Sequence, residues 1–189
     1  MRKLRTALSF ILTALTVLGA AASAFAAADT EQGVVLPGGI AAMEGTGIAF
    51  VQTNDGGYEV RGLTAAPSAQ ATRAEEFLGW FTYPDGTEGE VSRGTFVLRP
   101  NEIVATGDFV SFYENGVEVS QAVIVVMGDI LGNGILSLMQ LVRLASVVTG
   151  SVPALTGPYQ QAADLNGDGT ISIGDIVIEA RLYTDAMLR

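Results

Sequence analysis

Asp164-Leu165-Asn166-Gly167-Asp168-Gly169-Thr170-Ile171-Ser172-Ile173-Gly174-Asp175 places oxygen-bearing side chains at the first, third, fifth, ninth and twelfth positions of a loop whose sixth residue is glycine. A hard cation such as Ca2+ takes six or more oxygens. This spacing offers Asp164, Asn166 and Asp168 through their side chains, Thr170 through its carbonyl, Ser172 or a water it holds, and Asp175 from the helix that follows. Gly169 permits the sharp reversal. An ordinary Asn-Gly-Asp-Gly turn needs only two or three of these residues, so the full pattern reads as a calcium loop.

The same pattern recurs thirty-five residues earlier. Asp129 aligns with Asp164, Gly132 with Gly167, Asn133 with Asp168, Gly134 with Gly169, Ser137 with Ser172 and Ala145 with Ala180. This is an internal duplication. Each copy leads from a loop into an amphipathic helix, with apolar stripes Leu138, Leu141, Ala145, Val148 and Ile173, Ile176, Val177, Ala180, Tyr183 that are expected to face one another. The first loop has leucine at its third place (Leu131) and glutamine at its twelfth (Gln140). With Asp129 as its one carboxylate, beside Asn133 and Ser137, it is expected to be a weak or lost metal site, and the second loop to hold the calcium.

The paired loop-helix repeats over residues 128–189 lack the incoming helix of a full EF-hand. They resemble the type I dockerin of cellulosomal enzymes, and the run Thr156-Gly157-Pro158-Tyr159-Gln160-Gln161-Ala162-Ala163 leading into the second loop looks like the linker of many dockerins. The segment before it, with Ala105-Thr106-Gly107, is similar to a small module found upstream of dockerins, a resemblance that carries no activity. The resemblance implies a non-catalytic plug that folds around calcium and inserts into a cohesin domain of a scaffold or surface protein. Its partner contacts would be the tenth and eleventh loop positions and the helices: Leu138 and Met139, Ile173 and Gly174, Ala180 and Arg181. The two pairs differ, which argues against symmetric two-way binding. Leu138 and Met139 suit an apolar partner groove and suit a core position equally.

At the other end, Arg2, Lys3 and Arg5 precede an apolar stretch over 7–20 and the small residues Ala24-Phe25-Ala26. That is the pattern of a secretory signal peptide over 1–26, shorter than the roughly 20 residues of a spanning helix. Cleavage would leave 163 of the 189 residues. Removing Arg2, Lys3 and Arg5 from ten basic residues leaves seven against twenty acids, a formal charge of −13. Such a surface disfavours nucleic acid and anionic lipid and favours cations. The expected product is a secreted monomer that does not insert in membranes once its signal is cleaved. Cysteine and histidine are absent, so neither disulfides nor a histidine-based catalytic triad are available.

Residues 27–44 read as a glycine-rich flexible leader. Beyond it, apolar runs on either side of Thr53-Asn54-Asp55-Gly56-Gly57 predict a hairpin, and Asn115-Gly116 predicts another. Thr72 and Glu75 suggest a capping box, with Ala74, Phe77, Leu78 and Phe81 at helical spacing up to Pro84-Asp85-Gly86. Strands are expected over 91–98, 108–113 and 117–127. The acids Glu75, Glu76, Glu88, Glu90, Glu102 and Asp108 are expected on solvated faces. A glycosidase needs only two carboxylates, yet no constellation in this segment reads as an active site. The expected fold class is therefore α+β: a small, mainly antiparallel sheet with one helix over 45–127, then an all-α, dockerin-like pair of EF-hand-type repeats over 128–189. The functional alternative to a calcium-dependent adaptor is a calcium-stabilised extracellular structural protein whose degenerate repeats no longer bind cohesin.

Overall fold

The computed structural model describes residues 34–188; the expected signal peptide lies outside them. The chain runs β1 (Ala41–Ala42), β2 (Ala49–Gln52), β3 (Tyr58–Thr64), α1 (Ala74–Leu78), β4 (Phe81–Thr82), β5 (Thr87–Arg93), β6 (Phe96–Val97), β7 (Phe109–Glu114), β8 (Val117–Met127), α2 (Leu138–Val148), α3 (Pro158–Ala163) and α4 (Ile173–Met187). A six-stranded sheet has the order β2-β3-β8-β7-β5-β6, and β1 pairs with β4 in a separate two-stranded sheet. Within the larger sheet, β3 and β8 run parallel while the other neighbours run antiparallel.

The expected fold class is corrected by this arrangement. The protein is mainly β, built on a mixed sheet with four short helices, and the repeats do not form an all-α pair standing after a small sheet. The reason lies in β8. Successive side chains of a strand point to opposite faces, and here both faces are apolar. Ala122, Ile124 and Val126 join the core that contains Phe50, Phe77, Phe81 and Phe112. Val125 turns the other way and is buried with Ile130, Leu144, Ala162 and Ala163 of the repeats. A strand buried on both faces needs cover on both, and α3 packs on β8 to supply part of it. Helix α4 reaches the first core as well, through Leu182, Tyr183 and Ala186.

The other local expectations meet mixed outcomes. The β7–β8 hairpin turns at Asn115 and Gly116, both at positive φ (52° and 78°), as a two-residue hairpin loop of this type requires. The capping box at Thr72 does not form: α1 begins after Arg73 without a side-chain cap, and its first N–H groups go to the carbonyls of Glu102 and Pro100 instead. The strand expected over 91–98 is broken at a turn between β5 and β6. Part of the expected leader is structural, because Leu36 and Ile40 are fully buried. Asp108 is buried rather than solvated, held by Arg93 through two hydrogen bonds of 2.7 and 2.8 Å.

Candidate metal centre

The two loops share the backbone bonds that their first and twelfth side chains accept. Asp164 accepts the backbone N–H groups of Asp168 (3.1 Å) and Gly169 (2.8 Å). Asp129 accepts those of Asn133 (3.0 Å) and Gly134 (2.9 Å), thirty-five residues earlier. At the twelfth place, Asp175 accepts from Leu165 (2.8 Å) and Asn166 (3.2 Å), while Gln140 accepts from Ile130 and Leu131 (3.0 Å each). Duplication in sequence is thus duplication in geometry.

In the second loop, Asn166 Oδ1 accepts from the Asp168 N–H at 2.9 Å, and Asp168 Oδ1 accepts from the N–H and hydroxyl of Thr170 at 2.8 and 2.7 Å. These bonds favour the charged carboxylate, and the Thr170 hydroxyl and Asn166 amide hold Asp168 below the usual carboxylate range. Ser172 caps α4. Its N–H reaches Asp175 Oδ2 at 2.8 Å, and its hydroxyl takes the Gly174 N–H at 3.1 Å, completing a capping box. Asp175 therefore has a structural duty besides any ligand role. The ion pairs among the described residues, Arg61–Glu59 and Arg93–Asp108, leave the acids of this loop without a cationic side chain.

Asp164, Asn166, Asp168, Thr170, Ser172 and Asp175 fit a calcium ion by donor chemistry. They are hard oxygens in the loop order such an ion takes; each Asp164 oxygen accepts one N–H and keeps a lone pair, whereas both Asp175 oxygens and Asp168 Oδ1 already accept two hydrogen bonds each. The loop also faces solvent: a Cβ at Gly169 (φ +84°) would meet nothing within 4 Å. No group of three or more His, Cys, Asp or Glu side chains converges as a metal cluster among the described residues. Three of the six donors, Asn166, Thr170 and Ser172, are not carboxylates and fall outside such a cluster.

Asp129, Asn133, Ser137 and Gln140 do not fit. Leu131 brings no oxygen and is partly exposed, Ser137 starts α2 without a side-chain cap, and Gln140 brings nitrogen into the loop. This loop is also sealed against the sheet. Asp129 Oδ2 takes the Thr106 N–H at 2.8 Å, Ile135 bridges Ala66, and a Cβ at Gly134 would collide with the Val104 carbonyl.

The partner-face residues divide by helix side. Leu138 (53 % exposed), Met139 and Val142 on α2, and Ile173 (73 %) and Val177 on α4, are exposed apolar residues. Arg181 continues the exposed row on α4, whereas Gly174 and Ala180 are half-buried. The stripes expected to face each other are displaced: the fully buried members are Gln140 and Leu144 on α2, Asp175 and Glu179 on α4.

Glu179 is a residue that pattern reading misses. It is 1 % exposed, neither carboxylate oxygen has a partner, and burial, with Asp129 adding to it, pushes its pKa up to about 7. The signal was present in the duplication, since Glu179 aligns with the buried Leu144. No protein-family model, no curated protein and no solved structure matches this chain.

Proposed function

We propose that this chain is a secreted, non-catalytic adaptor. Its second repeat binds calcium through Asp164, Asn166, Asp168, Thr170, Ser172 and Asp175, and the exposed sides of α2 and α4 dock onto a cohesin-type scaffold or surface protein, in polysaccharide-degrading or cell-surface assemblies. The observation that carries the reading is the contrast between the twin loops: the second keeps carboxylates at Asp164, Asp168 and Asp175 and lies open to solvent, and the first is closed by an amide. The exposed apolar row supports the docking half, because interface cores rest on a few apolar or arginine anchors.

Calcium titration of the purified protein is expected to show one tight site, and Asp175→Ala is expected to abolish it. Two sites of equal affinity would contradict the reading. A panel of cohesins tests the second half. Binding in millimolar calcium should be lost on chelation and weakened by Leu138→Asp with Met139→Asp, or by Arg181→Asp, with calcium uptake intact.

The packing of the repeats onto β8 favours a second reading, in which calcium stabilises an extracellular structural protein and no cohesin is bound. Failure of every cohesin at micromolar protein would select it.

A further inference from the structure

Gln140 is fully buried, and both ends of its carboxamide are engaged. Oε1 accepts the two N–H groups of Ile130 and Leu131. Nε2 donates to Asp129 Oδ1 at 3.0 Å, Asn133 Oδ1 at 3.2 Å and the Ile135 carbonyl at 3.1 Å. Two donors at one end and three acceptors at the other fix which atom is nitrogen. The three acceptors belong to the first, fifth and seventh residues of the loop, the places from which a calcium loop turns oxygens toward its ion.

We infer that the Gln140 carboxamide permanently occupies the cation's seat in the first loop, making that repeat a lock that closes without metal and excludes it. The two amide hydrogens give the surrounding oxygens the positive partner that calcium gives elsewhere, with no second charge to desolvate. Asp129, fully buried, is thereby satisfied by four donors: the N–H groups of Asn133, Gly134 and Thr106, and Gln140 Nε2. An entering ion would have to expel the amide, orphan the N–H groups of Ile130 and Leu131, and accept a hydrocarbon at Leu131. Control of the pair is then split. The start of α2, with Leu138 and Met139, is presented whatever the calcium level, and only the start of α4 is open to regulation by metal.

Nuclear magnetic resonance of the nitrogen-labelled protein tests the lock directly. The Gln140 side-chain amide protons should exchange with water at least about a hundredfold more slowly than those of the exposed Gln160 and Gln161, and their shifts should be the same in excess calcium and in chelator. Exchange as fast as Gln160, or a shift on adding calcium, overturns the inference. Gln140→Glu is the second arm: it removes the two hydrogens and sets a carboxylate beside Asp129. Residues 129–148 should then lose exchange protection in chelator and regain it in calcium, with one more ion bound than in the parent. Protection unchanged in chelator, with no added ion, also overturns it. Neither arm involves 164–175, so failure of the second loop to bind calcium leaves both readouts standing.

Discussion

Glu179 stands on α4 where the first repeat has Leu144, and its carboxylate faces Asp129 and the backbone at Gly128. A Cβ at Gly128 would come within 2.7 Å of Glu179 Oε2, so the glycine makes room for it. With its pKa raised from 4.5 to about 7, the folded state holds the proton more tightly than the unfolded chain. Below pH 4.5 both states are protonated and the charge costs nothing. Between 4.5 and 7 the unfolded chain ionises first and stability falls; above 7 the penalty is constant, on the order of 3 kcal/mol. In chelator, denaturant unfolding should show this loss between about pH 5 and about pH 8. Glu179→Leu should remove it and be the more stable protein at the higher pH; equal pH dependence would show that Glu179 is solvated. Arg93 works in the opposite sense, because its fork neutralises buried Asp108, which also takes the Ala105 N–H at 2.8 Å. Arg93→Met strands that carboxylate and should cost about 3 kcal/mol, seen as a lowered denaturation midpoint; a cost below about 1 kcal/mol, the value of a surface pair, would contradict it.

Among the elements, the two loops respond differently to one substitution. Gly134→Ala places a methyl against the Val104 carbonyl at φ +68°, so the first loop must lift from the segment after β6. Gly169→Ala meets open space and carries only the left-handed backbone cost, about 1 to 2 kcal/mol. The first should cost at least about 3 kcal/mol, and comparable losses in thermal unfolding would show that the first loop is not sealed. Elements whose cause is local were legible in the sequence: the two hairpin turns, the turns of the twin loops, and the start of α2 and α4. The buried sides of those helices were not. Gln140 and Glu179 are polar, so an apolar count turns each helix away from its true contact. A missing carboxylate at position 140 could be read, but the amide's occupation of the loop's centre depends on its three-dimensional neighbours. The parallel pairing of β3 with β8, residues some sixty apart, and the burial of Leu36 and Ile40 amid glycines also arise from contacts distant in sequence, which periodicity does not report.

At the level of the molecule, β8 divides two cores that share its backbone, so an ion held at the second loop, as proposed, would act on a body it helps to hold. Metal bound only by the folded state adds RT ln(1 + [L]/Kd), about 2.7 kcal/mol at a hundredfold excess over Kd. That is less than the roughly 5–15 kcal/mol by which domains are stable, so chelation should open part of the protein and leave the rest folded. The part is named by the contacts. Loss of the second loop releases the start of α4, and the disturbance travels along α4 toward Leu182, Tyr183 and Ala186, which lie on the sheet core. It should stop short of α2, which the Gln140 lock holds, and of the β5–β7 pair. Hydrogen exchange with and without chelator should therefore show its greatest change over 164–177, a smaller one to the end of α4, and none in α2 or β5. A change spread evenly over all strands would mean that the two cores unfold as one unit. No change at 164–177 would mean that the second loop carries no calcium to lose.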